Sequence, residues 1–467
     1  MVNLKKLEKL LVLFIILSTY IFHLAEVLKE DVPGSFVFLV ILFVLIFYHS
    51  LREKNYVFSV FLISFFFFLL GRDLITYLGV VQNSSLFTNA ILVKTYSLLG
   101  LSLLFIFIGS LLVNKKKKKI LNYKPNTNVR LISKYFFYIT VIFYIIELLE
   151  KFLFVGSYSY FEYYTIFNSS FPTIFLRISS MSLVFLFIFL STLPTKKELV
   201  FPLSIFSITL ILNLLIGARG PIIIGILTLL IYFLYRDTNE INKDLRFLKR
   251  RHYLYIILIS PFILGFLSYY NSIRFNQTVN FDLYNEILRF FNTIGRSIDV
   301  ISYSQVHLLK LNELSSSYTF GNIVNYFTRG TFFGIFTGLT PLVGNTYEMA
   351  MNGNSLAASL TYIVFPRQYL SGYGLGSSYI AELFVDFGYL GVIFYSLILG
   401  MLVKAIFIIR INNWIAITLF LTLVNHLIML PRGSALGIFD EIQGVFYWFP
   451  IFAMIFVSNY SKNVKLK

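Results

Sequence analysis

Tyr253-Leu-Tyr-Ile-Ile-Leu-Ile-Ser-Pro-Phe-Ile-Leu-Gly-Phe-Leu-Ser-Tyr-Tyr270 runs through eighteen positions without a charged residue. A helix of that length, rising about 1.5 Å per residue, comes close to crossing a hydrocarbon core ~30 Å thick. The next 105 residues, Asn271 to Leu375, contain no obvious span. Outward from this contrast, comparable apolar runs fall near 8–25, 33–49, 56–71, 86–113, 133–150, 177–193, 199–216 and 221–235 before it, and near 380–403, 413–430 and 443–459 after it. Counting 253–270, the pattern predicts an all-α polytopic membrane protein of about twelve transmembrane helices. Its organisation would be spans one to nine in 1–270, a large extracytoplasmic loop with amphipathic helices in 271–375, and spans ten to twelve in 376–467.

Composition agrees. Hydrophobic residues make up 57% and charged residues 13% of the chain, where a soluble domain would carry about 25% charged. The absence of cysteine removes disulfides, thiolate chemistry and cysteine-bound clusters. The five histidines form no HxH or HExxH pair, so neither a metal nor a cofactor is expected. Lys5, Lys6 and Lys9 ahead of the run Leu10 to Ile21 could introduce a cleaved signal peptide. Without a convincing small-x-small cleavage site, a first transmembrane helix is the better reading.

Basic residues orient the spans. One set of connections holds 26 Lys and Arg; the other, outside the long loop, holds six: Lys29, Arg72, Lys151, Arg177, Arg219 and Arg432. The positive-inside rule puts both termini and the richer side in the cytoplasm, and the long loop outside. The run Lys115 to Lys119 then reads as an anchor to anionic lipid, and no nucleic-acid partner is expected.

Several residues run against that bias or lie at costly depth. Arg219, in Gly217-Ala-Arg-Gly-Pro221, is held in a connection of about four residues, with Pro221 suited to the first turn of the next helix. A guanidinium there suits a phosphate or carboxylate, and snorkelling to lipid phosphates is the alternative. Arg432 repeats the situation in Pro431-Arg-Gly-Ser434. His426, within the preceding span, is an ionisable group in an expensive place, most simply a neutral ring hydrogen-bonded to a neighbouring helix.

In the long loop, which also carries Arg274, the segment Phe281 to Leu309 has helical periodicity. On that helix Arg289, Asn292, Arg296 and Asp299 share one face, either as an anion cradle or as a solvated surface. Glu382 and Asp386 lie four apart on one face at the outer end of the tenth span, where paired carboxylates mark a site by default. Glu382, or else Asp299, is the candidate general base. Gly372, Gly374, Gly376 and Gly388 would permit a kinked entry to that span.

This combination resembles the oligosaccharide repeat-unit polymerases of the Wzy type. Gly217-Ala-Arg-Gly-Pro-Ile-Ile-Ile224 is similar to the family's Gly-x-Arg segment opening a hydrophobic helix. The stretch Gly376 to Gly391 resembles its Gly-rich, Glu-Leu, Phe-Gly-x-x-Gly segment, and Leu430-Pro-Arg-Gly-Ser434 its arginine turn after the penultimate span. Arg296 falls where family members place an arginine early in the large loop. The resemblance implies a GT-C-like fold, shared with O-antigen ligases and shape-determining peptidoglycan polymerases. It also implies a metal-independent glycosyltransferase joining undecaprenyl-pyrophosphate-linked repeat units at the outer face of the inner membrane. Arg219, Arg296 and Arg432 would meet the pyrophosphate. Arg274, Arg289, Asp386 and His426 complete the expected binding set. Membrane lipids, a chain-length regulator and a flippase are the implied partners; an O-antigen ligase or a lipid-linked oligosaccharide flippase is the alternative activity.

Overall fold

The computed structural model describes residues 4–80, 86–113, 126–158, 160–163, 165–239, 246–274, 280–315, 317–330, 333–408 and 413–465. Among these residues the chain is helical and has no strand. The long helices are α1 (Leu4–Leu28), α2 (Val32–Arg52), α3 (Tyr56–Tyr77), α4 (Asn89–Leu112), α5 (Thr127–Ser157), α6 (Thr173–Ser191), α7 (Lys196–Ile216), α8 (Gly220–Asn239) and α9 (Arg250–Arg274). The loop 271–375 contributes α10 (Leu283–Ile294), α11 (Ser297–Val306), α12 (Leu308–Leu314), α13 (Gly321–Arg329) and α14 (Leu356–Val364). The last long helices are α15 (Tyr379–Ile408), α16 (Trp414–Met429) and α17 (Val445–Lys465).

A helix stands at each of the twelve expected spans. Ten are long and apolar enough to cross a membrane; α5 and α17 are the other two. Helix α5 carries Arg130, Lys134, Glu147, Glu150 and Lys151, and several of these charges are met locally. Arg130 pairs with Glu198 at 3.2 Å, Lys151 with Glu147 at 2.6 Å, and Glu150 accepts from the Ser169 and Ser170 hydroxyls at 2.6 Å each. The apolar part of α17 is simply shorter, Val445–Asn459. The chain is a multi-pass membrane protein. The basic run at 115–119 lies outside the described residues.

Local signals start and stop these helices. Asp31 caps α2 by accepting from the Gly34 amide at 3.1 Å, and Thr195 with Glu198 forms a capping box on α7, each satisfying otherwise orphaned amides. A π turn over Phe66–Leu70 widens α3. Inside α15, Gly388 has φ 61° and ψ −150°, a combination open essentially to glycine alone, so the expected kink is there.

Among the described residues the most extensive helix–helix contact joins α4 to α15. A Cβ on Gly109 would stand 2.1 Å from the Leu397 carbonyl oxygen, and one on Gly400 would stand 2.0 Å from that of Ile106. Neither obstacle is a side chain that can swing away. Ser102 bridges the same seam to Tyr379 at 2.7 Å and to Ser396 at 2.9 Å. Close approach over small residues drives helix association in lipid. Gly400→Leu is therefore expected to cost about 1–3 kcal/mol or more, read as a lower unfolding temperature and a smaller monodisperse fraction in detergent.

The long loop does not stand apart from the bundle. Ile298, Val300 and Ile301 of α11 are buried in the same core as the spans. The single amphipathic helix expected over 281–309 is instead broken at Gly295–Arg296. A Cβ on Gly295 would lie 2.4 Å from the Arg72 Cβ, so the elbow presses directly on α3. Arg289, Asn292, Arg296 and Asp299 consequently do not share one face.

Candidate active site

Between the C-terminal part of α3, the N-terminal half of α8, the inner side of α9, the α10–α11 elbow and the end of α16 lies a cavity of about 1510 Å³. Arg219, Arg296 and Arg432 all line it. Among the lining residues these are the only charged side chains, and no carboxylate is present.

Each arginine is placed by a short, well-tied piece of backbone. Helix α7 ends at Gly217 with φ 102°, whose amide donates to Leu214 at 2.8 Å while Ala218 donates to Asn213 at 2.9 Å. That left-handed cap turns the chain so that Arg219 precedes α8, with Pro221 in its first turn as expected. Arg296 sits on the elbow before α11 and is exposed to the cavity. Arg432 ends a 3-10 turn, Leu430–Arg432, its guanidinium carbon 6.0 Å from the Phe68 ring centre. A Cβ on Gly376 would stand 3.7 Å from the Arg432 Nε, so the glycine-rich entry to α15 closes around this arginine.

The carboxylates lie one layer behind. Glu382, 2% exposed, accepts from the Ser377 hydroxyl at 2.6 Å, the Ser434 hydroxyl at 2.9 Å and the Ala435 amide at 2.8 Å. It ties the start of α15 to the turn carrying Arg432. Asp299 receives both guanidinium nitrogens of Arg72 at 2.7 Å each. Asp386 accepts from the Ser317 hydroxyl at 3.1 Å and the Tyr318 and Thr319 amides at 3.0 and 2.6 Å. The Glu382–Asp386 pair therefore serves two different neighbours rather than one site. None of these three carboxylates lines the cavity.

Arg289 pairs with Glu286 at 2.8 Å and is absent from the cavity wall; the expected cradle of Arg289, Arg296 and Asp299 is not assembled because the elbow separates them. His426 packs against Gly437, and its buried Nε2 finds no hydrogen-bond partner among the described residues. The Arg274 side chain lies outside the described residues. Among the described residues no three His, Asp or Glu side chains gather as a metal ion would require.

Sequence reasoning missed Arg72, which counted only as one basic residue on the poorer side. It is the centre of a buried ionic group. Besides Asp299 it meets Asp73 at 3.2 Å, and the Tyr96 hydroxyl donates to Asp73 at 2.9 Å. Its adjacency to Asp73 at a span end was the available signal. Also missed was the loop wall: Asn345 donates to the Tyr369 and Tyr373 carbonyls at 2.9 Å each, and all three residues line the cavity.

Away from the arginines the cavity is apolar. Phe43, Phe47, Phe66, Phe67, Ile256, Ile259 and Ile263 line it, and its contact with α9 extends from Tyr255 to Leu267, about 18 Å at 1.5 Å per residue. Only 17% of the apolar window of α9 is buried, so its other side faces lipid. The family model of the O-antigen polysaccharide polymerase Wzy matches residues 9–465. No curated protein and no solved structure matches the chain.

Proposed function

Because the chain belongs to the O-antigen polysaccharide polymerase Wzy family, we propose that the arginine-lined cavity joins undecaprenyl-pyrophosphate-linked repeat units at the outer face of the cytoplasmic membrane. The observation that carries this reading is the meeting, in one cavity without a carboxylate, of three arginines drawn from residues 219, 296 and 432, beside an apolar groove that suits a polyprenyl tail. Helix α9, thinly packed on the protein, offers a lateral path from the bilayer. In this reading both termini are cytoplasmic.

The transfer forms a glycosidic bond between an acceptor hydroxyl oxygen and the anomeric carbon of the growing chain. The bond from that carbon to the pyrophosphate oxygen breaks, and the lipid pyrophosphate leaves with the electron pair. Preorganised guanidinium groups stabilise the negative charge that grows on the leaving oxygens. No metal enters this scheme. Glu382 remains the proposed base, tied through the Ser434 hydroxyl to the turn that carries the cavity-lining Arg432; Asp299, held by Arg72, is proposed to set the elbow that presents Arg296.

Glu382→Gln separates a base from a brace. Glutamine keeps an acceptor for the Ala435 amide but cannot take a proton. Loss of polymerisation with an unchanged unfolding temperature is expected; near-normal chain length would make Glu382 a purely structural tie. For the activity itself, deleting the gene in its host should leave surface glycan of a single repeat unit on a gel. Loss of even that unit would point to a flippase or ligase instead.

A further inference from the structure

A second, smaller cavity lies at the opposite end of the bundle. It measures about 180 Å³ and is lined by Lys54, Tyr56, Asp237, Arg246 and Tyr253 among others. Asp237 lies near the end of α8 and Arg219 just before its start, so the small cavity sits at the opposite end of α8 from the arginine cluster, although the larger cavity reaches along α9 as far as Tyr255.

The small cavity has a built wall. Asp237, at the end of α8, accepts from the Phe247 and Leu248 amides at 2.9 and 2.7 Å, which pins the strand of chain entering α9. The Phe247 ring is held between the Arg236 guanidinium, 4.3 Å from its centre, and the Lys196 ammonium, 5.1 Å away. Lys196 also donates to the Arg246 carbonyl at 2.9 Å. This strap fixes Arg246, whose Nε is buried without a hydrogen-bond partner among the described residues. A buried donor of that kind calls for an acceptor. Lys54, which lines the same cavity, adopts φ 55° in the turn between α2 and α3, a conformation that non-glycine residues uncommonly take.

The one carboxylate lining the cavity has both oxygens engaged by backbone amides, and Lys54 with Arg246 outweighs its single negative charge, so the lining stays net positive. A guanidinium paired with an ammonium matches a phosphate, which accepts from both. A volume of about 180 Å³ is ample for a phosphate group. We propose that this cavity binds a phosphate group, either the headgroup of an anionic lipid in the adjoining leaflet or a free phosphate ion, at the end of the bundle away from the proposed polymerising site.

Hydrogen exchange of the full chain in neutral detergent tests this, with dioctanoyl phosphatidic acid, inorganic phosphate and dioctanoyl phosphatidylcholine as probes. Peptides covering 246–256 are expected to exchange several-fold more slowly with phosphatidic acid than with phosphatidylcholine. That protection should vanish in Arg246→Ala and in Lys54→Ala and persist in Lys197→Ala, a nearby basic residue that does not line the cavity. Protection by phosphatidic acid alone identifies the lipid headgroup; protection by inorganic phosphate as well identifies a free phosphate. No protection by either phosphate probe, persistence in Arg246→Ala, or equal loss in Lys197→Ala would overturn the proposal.

Discussion

Arg219→Ala and Arg432→Ala are each expected to lower polymerisation about 10²-fold or more, leaving host glycan as single repeat units while the variant accumulates in membranes at the normal level. The magnitude follows from what removal of one preorganised donor costs when charge develops in a site shielded from water. Both side chains reach the cavity from rigid turns, Gly217–Gly220 and Leu430–Arg432, so truncation removes a fixed charge with little relaxation to replace it. Lysine at either position keeps the charge and loses the planar fork, and recovery should be partial. Glycan gels and immunoblots of the same membranes read both quantities. Wild-type chain lengths from both alanine variants would show that the cavity does not grip the leaving group.

The second large effect concerns stability. Arg72→Ala is expected to destabilise the protein by about 3–5 kcal/mol, because a buried partner is left with an uncompensated charge. Arg72 and Asp299 side chains are only 18% and 11% exposed, and Asp73 shares the same guanidinium. The double variant Arg72→Ala with Asp299→Asn removes one of the stranded charges and should regain part of the loss. Unfolding temperatures in detergent make the comparison, and equal values for the single and double variants would mean that the pair contributes little. Polymerisation should also fall in both, since Arg296 is three residues from Asp299 on the elbow that this pair secures.

These two results separate what could be read along the chain from what could not. The spans were legible because hydropathy acts residue by residue and needs no partner. Arg219 and Arg432 were legible for a similar reason: a guanidinium in a turn of a few residues has nowhere to go. Asp299 was different. Its partner is 227 residues away, and no periodicity reports that distance. The break at Gly295 was hidden likewise, since the close approach of α3 to that glycine is a tertiary contact and a continuous amphipathic pattern crosses it undisturbed. Glu382 and Asp386 have the spacing of a pair, yet tertiary contacts send one to the Arg432 turn and the other to residues 317–319.

Helix α9 bears on how such a protein should be handled. Leu254, Leu258 and Phe262 on its outer side are each more than half exposed, while its inner side bounds the larger cavity. The shape of that chamber is therefore set jointly by the polypeptide and by acyl chains pressing from outside. Bilayer thickness and lateral pressure become variables of the enzyme itself, and solubilisation removes one of its walls' supports before any residue has been changed.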